Sequence, residues 1–295
     1  MIYIIIPALL IVIGIFVYKE SSGYRTSEYV LHTDKEIPGT VRFVMLSDLH
    51  DTDVTHDKNA KLFESVAAAE PDFVILSGDM VTSYTEKKVR DSAAFDLMSK
   101  LSGRYKVYYG LGNHEQRIRE DERRFPGKYS EYESFVKGLG IEILSDTYTD
   151  IADKNIRIYG YDIPMEFYKR GVRKRIPEGL IEQTLGAVDE RKYNILLAHT
   201  PDHFEEYSEY APDLVLSGHL HGGIIGFPGI GGLISPQLSL FPEHAAGHFH
   251  KGKTDLVVSR GIGWHSIPIR IFNKAEIVVI TITQESRGNT DGNQC

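Results

Sequence analysis

The stretch Val41–His50, VRFVMLSDLH, sets the pattern by which the rest of the chain can be read. An apolar run of strand type ends at Ser47 and gives way at once to a carboxylate and an imidazole, Asp48 and His50. Four more apolar runs end in the same way. FVILS leads into Gly78-Asp79, KVYYGLG into Asn113-His114-Glu115, NILLA into His199, and DLVLS into Gly218-His219-Leu220-His221. Short, continuously apolar runs are those of strands buried on both faces. Helical patterns over 58–69, 87–101 and 129–139 alternate with them, so the sequence predicts an open α/β sheet. Ligands of such sheets bind beyond the carboxyl ends of the strands, where the five endings would converge.

Further strands are expected at 104–109 and 156–160, and a helix over Glu205–Ala211. Towards the C-terminus LVVS, IRIF and EIVVITIT carry no long helix between them, which predicts a second, more antiparallel set of strands. Neither a repeat nor a low-complexity linker divides residues 41–283, so one domain is expected there, followed by a polar tail at 284–295.

Residues 2–18, IYIIIPALLIVIGIFVY, carry no charge and are followed at once by Lys19 and Glu20. As a helix this stretch sits at the short end of what spans a bilayer core. No convincing cleavage site follows, so an uncleaved single-pass anchor in the cell membrane is expected; a buried core helix or an atypical signal peptide is the alternative. Lys19 and Arg25 flank its C-terminal end, nominally favouring a cytoplasmic domain. Residues 19–40 are polar and read as a juxtamembrane tether or a peripheral strand.

With 33 Lys and Arg against 41 Asp and Glu, the 295-residue chain carries a charge of −8, which argues against nucleic acid as its main partner. Its one cysteine is the last residue, Cys295, so neither an intramolecular disulfide nor a zinc finger can form. The strand-end residues offer oxygen and imidazole nitrogen without thiolate, a donor set suited to manganese, iron or zinc. Asp48 and His50 are two apart, as are His219 and His221, and such pairs on extended backbone point to one side. A carboxylate such as Asp79 can bridge two cations about 3.5–4 Å apart, the arrangement that stabilises in-line displacement at phosphorus.

Taken together, DLH, GD, GNHE, H and GHLH resemble the calcineurin-like metallophosphoesterase family, and the resemblance covers nearly all of residues 41–283. It implies a four-layer α/β/β/α sandwich of two mixed sheets flanked by helices, here preceded by the transmembrane helix. It also implies a dinuclear hydrolase of phosphomonoester, phosphodiester or pyrophosphate bonds, with two divalent ions such as Mn2+, Zn2+ or Fe2+. By the same likeness Asp48, His50 and His221 hold the first metal, Asp79 bridges, and Asn113, His199 and His219 hold the second. Asn113 and His114 contact substrate, a hydroxide between the metals attacks phosphorus, and His114 neutralises the transition state and protonates the leaving oxygen. Protein Ser/Thr phosphatases resemble GD-x-V-D-R-G, whereas this chain reads Gly78-Asp79-Met80-Val81-Thr82-Ser83, without the Asp that orients the catalytic histidine. Protein dephosphorylation is thereby disfavoured. GHLHGG and the late SRGIGWHSIPIRIFNKAE run look instead like the bacterial membrane-associated branch, which points to small or lipid-linked phosphoesters. A non-catalytic, membrane-tethered metal-binding module on the same scaffold is the competing reading.

The remaining features call for plainer readings. His32, His56, His203, His244, His248, His250 and His265 lie outside the motifs and read as surface or core residues, although the spacing of His244, His248 and His250 would permit a third metal site. Lys169, Arg170, Arg173, Lys174 and Arg175 form a basic cluster, either a solvated loop or a contact for anionic headgroups. Residues 222–233, GGIIGFPGIGGL, suit either a lip of the site or a hairpin. Arg260 follows a strand, in reach of phosphate or in a structural role.

Overall fold

A computed structural model describes residues 2–83, 92–169, 174–223, 225–227, 231–234, 242–264 and 269–284. Within them two six-stranded sheets form. The first runs, in spatial order, β1 (Tyr24–Thr33), β14 (Ala275–Gln284), β2 (Val41–Leu46), β3 (Phe73–Ser77), β4 (Val107–Gly110) and β5 (Glu142–Leu144). Strands β2 to β5 are mutually parallel, β14 is antiparallel to β2, and β1 is parallel to β14. The second runs β12 (Gly247–Lys251), β13 (Thr254–Val258), β9 (Leu214–Ser217), β8 (Tyr193–Leu197), β7 (Ile156–Gly160) and β6 (Thr147–Ile151). Its four central strands are parallel and its two edges antiparallel.

The alternation of side chains along each strand sets the layers. In β2, Val41, Phe43 and Met45 meet Ile195, Leu214 and Leu216 of the opposite sheet in one core, while Val44 and Leu46 turn to the other face. There they pack on α2 (Ala60–Ala68), α3 (Ala93–Ser102) and α5 (Lys128–Gly138), with α4 (Asn113–Glu120) beside them. The outer face of the second sheet, through Leu196, Val215 and Leu256, packs on α6 (Leu180–Leu185) and α7 (Phe204–Tyr210). Three apolar interfaces between four layers thus account for why the strand runs are apolar on both faces.

Several expectations are corrected. Of the two readings of residues 19–40, tether or peripheral strand, the structure has the strand over 24–33, where β1 pairs in register with β14 along its length. The C-terminal strands do not form a separate set: β13 extends the second sheet and β14 the first. IRIF, residues 269–272, is a loop, since the buried Arg270 guanidinium binds the carbonyls of Arg260, Gly261, Gly263 and Asn273, and Phe272 has a left-handed backbone (φ 51°). Between the lip and hairpin readings of 222–233, the structure has an antiparallel hairpin, β10 (Ile225–Phe227) and β11 (Gly231–Ile234), outside both sheets. The beginning of the expected helix at 87–101, His265 and residues 285–295 lie outside the described residues.

At the N-terminus, α1 (Ile2–Ser21) ends against the body of the protein. Ser21 Oγ donates to the Arg270 carbonyl and accepts from its N–H, and Phe16 packs on Phe272 with ring centroids 5.1 Å apart. Among the described residues no helix is long and apolar enough to cross a membrane, so the expected spanning segment at 2–18 is not found as such.

Candidate metal centre

Every strand-end residue singled out in the sequence arrives at one place. Asp48 and His50 follow β2, Asp79 follows β3, Asn113 and His114 open α4 after β4, His199 follows β8, and His219 and His221 follow β9. The first three strands belong to one sheet and the last two to the other, so the cluster sits where the carboxyl ends of both sheets meet. Three groups of side chains bring their donor atoms within 4.8 Å of one another: Asp48, His50 and His221; Asp79, His199 and His219; and His50, Asp79 and His114. His50 Nε2 and His221 Nε2 face each other at 3.0 Å, and His199 Nε2 lies 3.1 Å from Asp79 Oδ2 and 3.8 Å from Asp48 Oδ1.

The pleat does not produce this convergence. Asp48, His50, Asp79, His219 and His221 all have positive φ, between 48° and 69°, so the chain leaves β2, β3 and β9 in left-handed turns. Non-glycine residues adopt that region rarely and at a cost, and it recurs where surrounding structure over-determines a functional site. Backbone N–H groups hold the turns together: Asp48 N–H donates to the Gly78 carbonyl, His50 N–H to the Asp79 carbonyl, and His219 N–H to the side-chain Oδ1 of Asp48 at 2.9 Å. Space is as tight as conformation. A Cβ on Gly218 would collide with Ser47 Oγ and Asp48 Oδ2, and one on Gly78 with His199 Nδ1. The His219–His221 pair does not grip one centre as i,i+2 spacing suggests, because its members belong to different groups.

Charge in the cluster is unbalanced without a cation. Burial raises the Asp48 carboxyl to about 6, and the neighbouring Asp79 adds to the rise. Asp79 goes the other way despite its burial, because the surrounding histidines hold it well below the usual range. Against its own burial, His199 is raised by Asp79 first and Asp48 next, which marks a buried anionic pair in want of positive charge. Buried carboxylates need a compensating charge, and oxygen and imidazole donors fit hard or borderline divalent ions. Asn113 Oδ1, buried and without a hydrogen-bond partner, adds a vacant acceptor. The residues therefore fit a pair of divalent cations.

Two features could not be read from the sequence. Glu115, fully buried, accepts the N–H groups of Asp79 (3.0 Å), Gly112 (2.9 Å) and Val81 (3.2 Å), tying the turn after β3 to the start of α4. Burial, with Asp79 nearby, raises its carboxyl to about 7. At His114, the Ser83 N–H donates to Nδ1 at 2.9 Å. An N–H can only donate, so Nδ1 is the acceptor and the ring proton of the neutral form sits on Nε2, the nitrogen that faces Asp79 Oδ2 at 4.0 Å. A backbone amide thus orients the histidine where the protein phosphatases resemble a pattern with an aspartate.

With this geometry in place, comparison with known proteins is decisive. The sequence model described as calcineurin-like phosphoesterase matches residues 41–223. The chain belongs to the calcineurin-like phosphoesterase family. Its relatives include the uncharacterized metallophosphoesterase YkuE of Bacillus subtilis, 27% identical, with 90% of this chain and 87% of that protein covered. An uncharacterized metallophosphoesterase of Aquifex aeolicus is 27% identical over 95% of this chain and 98% of that one. A transmembrane protein with metallophosphoesterase domain from Danio rerio is 26% identical over 95% of this chain, which spans 62% of that protein. Family and metal-type site together make the chain a phosphoesterase hydrolase.

The other expectations fall outside the centre. Among the described residues, His244, His248 and His250 form no metal group: His244 packs on Phe204 and Phe249, while His248 and His250 bond Asp255. His203 is buried against Phe167 and Tyr207. Of the basic cluster, Lys174 pairs with Glu166 and Arg175 with Glu205, Glu206 and Glu209, as in a solvated surface; residues 170–173 lie outside the described residues. Arg260 pairs with Glu276 at 3.1 Å, a structural role.

Proposed function

We propose that this protein is a dinuclear-metal phosphoesterase held at a membrane by α1, acting on phosphomonoester, phosphodiester or pyrophosphate bonds of small or lipid-linked substrates. The meeting of seven strand-end residues from both sheets in three linked groups of donor atoms carries the reading. Asp48, His50 and His221 are assigned to one cation, Asn113, His199 and His219 to the other, and Asp79, which belongs to two of the three groups, to both. Bound there, two divalent cations supply Lewis-acid polarisation of the phosphoryl group and a nucleophile at neutral pH. His114, with its proton on Nε2, donates a hydrogen bond towards the phosphoryl or leaving oxygen, and Asn113 helps to position the substrate. The Ser83 N–H on Nδ1 leaves Nε2 as the donating nitrogen of the neutral ring.

Membrane association is supported by the exposed apolar surface of α1, where Leu9, Leu10, Ile11 and Val12 are 56–62% exposed, and by the name of the Danio rerio relative. For the whole proposal the test is hydrolysis by the full-length, detergent-solubilised chain with Mn2+, assayed on para-nitrophenyl phosphate, its bis-ester and a panel including lipid-linked pyrophosphates. Activity that requires metal and disappears in Asp79→Asn is expected. Two bound metals with no hydrolysis of any phosphoester would favour the non-catalytic module instead.

A further inference from the structure

Outside the family match, residues 269–274 form a loop with two opposed faces. Arg270 and Asn273 point inward and are 4% and 1% exposed; Ile269 and Phe272 point outward and are 41% and 51% exposed. Asn273 Nδ2 donates to the carbonyls of His221 and Gly223, so this loop directly supports the turn that carries a proposed metal ligand. The left-handed backbone at Phe272 turns its ring away from the body and onto Phe16 of α1. Phe272 and Ile269 thereby prolong the apolar surface of the helix to the edge of the metal centre.

What covers that surface follows from the helix. Leu9 to Val12 are four successive residues, which step about 100° each and so face all round the axis, and every one is more than half exposed. A protein partner covers one face of a helix; a helix apolar on every side calls for surroundings that are apolar on every side. Cations stand at its exit, with Lys19 exposed in the last turn and Lys274 beside Gly23, where anionic headgroups would meet them.

We infer that the loop Ile269–Lys274 is a second bilayer contact, seated at the headgroup level beside α1, and that it sets the metal centre at the membrane surface. The inference rests on the proposed association of α1 with the bilayer. Trp264, the one tryptophan of the chain, follows Gly263, whose carbonyl accepts from Arg270 Nη2 of the loop, and so reports on the loop. The full chain is reconstituted with vesicles of phosphatidylcholine and phosphatidylglycerol, with or without brominated acyl chains. Co-flotation with vesicles and loss of Trp264 emission on the brominated ones are expected. The double variant Ile269→Asp/Phe272→Asp, or the milder Ile269→Ser/Phe272→Ser if the first fails to fold by circular dichroism, is expected to float through α1 while recovering the emission. Flotation without quenching, or quenching unchanged in the folded double variant, overturns the loop contact and leaves the α1 reading intact. Failure of the wild-type chain to float overturns both.

Discussion

At Glu115 a buried carboxylate meets three backbone N–H groups, and its two oxygens are both needed to accept them. Glu115→Gln keeps the shape but turns an NH2 group towards an N–H donor. The expected cost is about 1–3 kcal/mol of stability from the unsatisfied pair, together with a roughly 10–100-fold loss of metal affinity as Asp79 shifts. Thermal denaturation and metal titration read the two effects, and unchanged affinity would reduce Glu115 to a packing residue. His114 separates chemistry from binding. His114→Ala is expected to lower the rate by about 10²–10⁴-fold with the metal content of the wild type, because the groups containing Asp48 and His199 stay complete without it. Metal loss in that variant would make His114 a ligand rather than a donor. Since the amide of Ser83 orients the ring, Ser83→Ala should retain activity within a few-fold; a collapse in rate would transfer the orienting role to the hydroxyl, which lies 3.1 Å from Nδ1.

Elements that are apolar on both faces were legible: Val41–Leu46, Phe73–Ser77, Tyr193–Leu197 and Leu214–Ser217 all fall within the runs read as strands, and the site residues sit just beyond them. Elements defined by their neighbours were not. Helix α4, NHEQRIRE, has little apolar period and begins at Asn113 itself, so its start is fixed by the Glu115 bonds to Gly112 and Asp79 rather than by composition. The strand β1 alternates too weakly to be told from a tether by sequence, and pairing with β14, far away in sequence, specifies it. IRIF reads as β but is claimed by Arg270, whose four carbonyl partners cannot be foreseen from spacing. The same loop makes a prediction. Asn273→Ala frees the carbonyls of His221 and Gly223, so the turn carrying His221 loses its support from the C-terminal segment. Metal affinity is expected to fall about 10–100-fold, and saturating metal should restore the rate. A loss of rate that excess metal does not rescue would mean that the loop holds substrate rather than the ligand turn.

Over the whole molecule the proposed ligands divide between the two sheets, with Asp48, His50, Asp79 and Asn113 on one side and His199, His219 and His221 on the other. The −8 charge of the chain says nothing of this site, in which buried carboxylates face imidazoles across the junction of the layers. Cations bound there would cross-link the sheets at their carboxyl ends, in addition to the apolar core that joins them through Phe43, Met45, Leu214 and Leu216. Because unfolding scatters the ligands, binding energy becomes folding energy. One cation present at about 100 times its dissociation constant adds about 2.7 kcal/mol, and in a domain of this size each kcal/mol moves the melting temperature by roughly 2–4 °C. Chelation is therefore expected to lower the melting temperature of the full chain by on the order of 5–10 °C. The shift should grow with the logarithm of metal concentration when metal is returned. Asp79→Asn separates the specific effect from a general one: with the residue shared by two ligand groups neutralised, most of the metal-dependent shift should vanish. A shift of the same size in Asp79→Asn would place the stabilising cation elsewhere and remove the link between the two sheets on which this prediction rests.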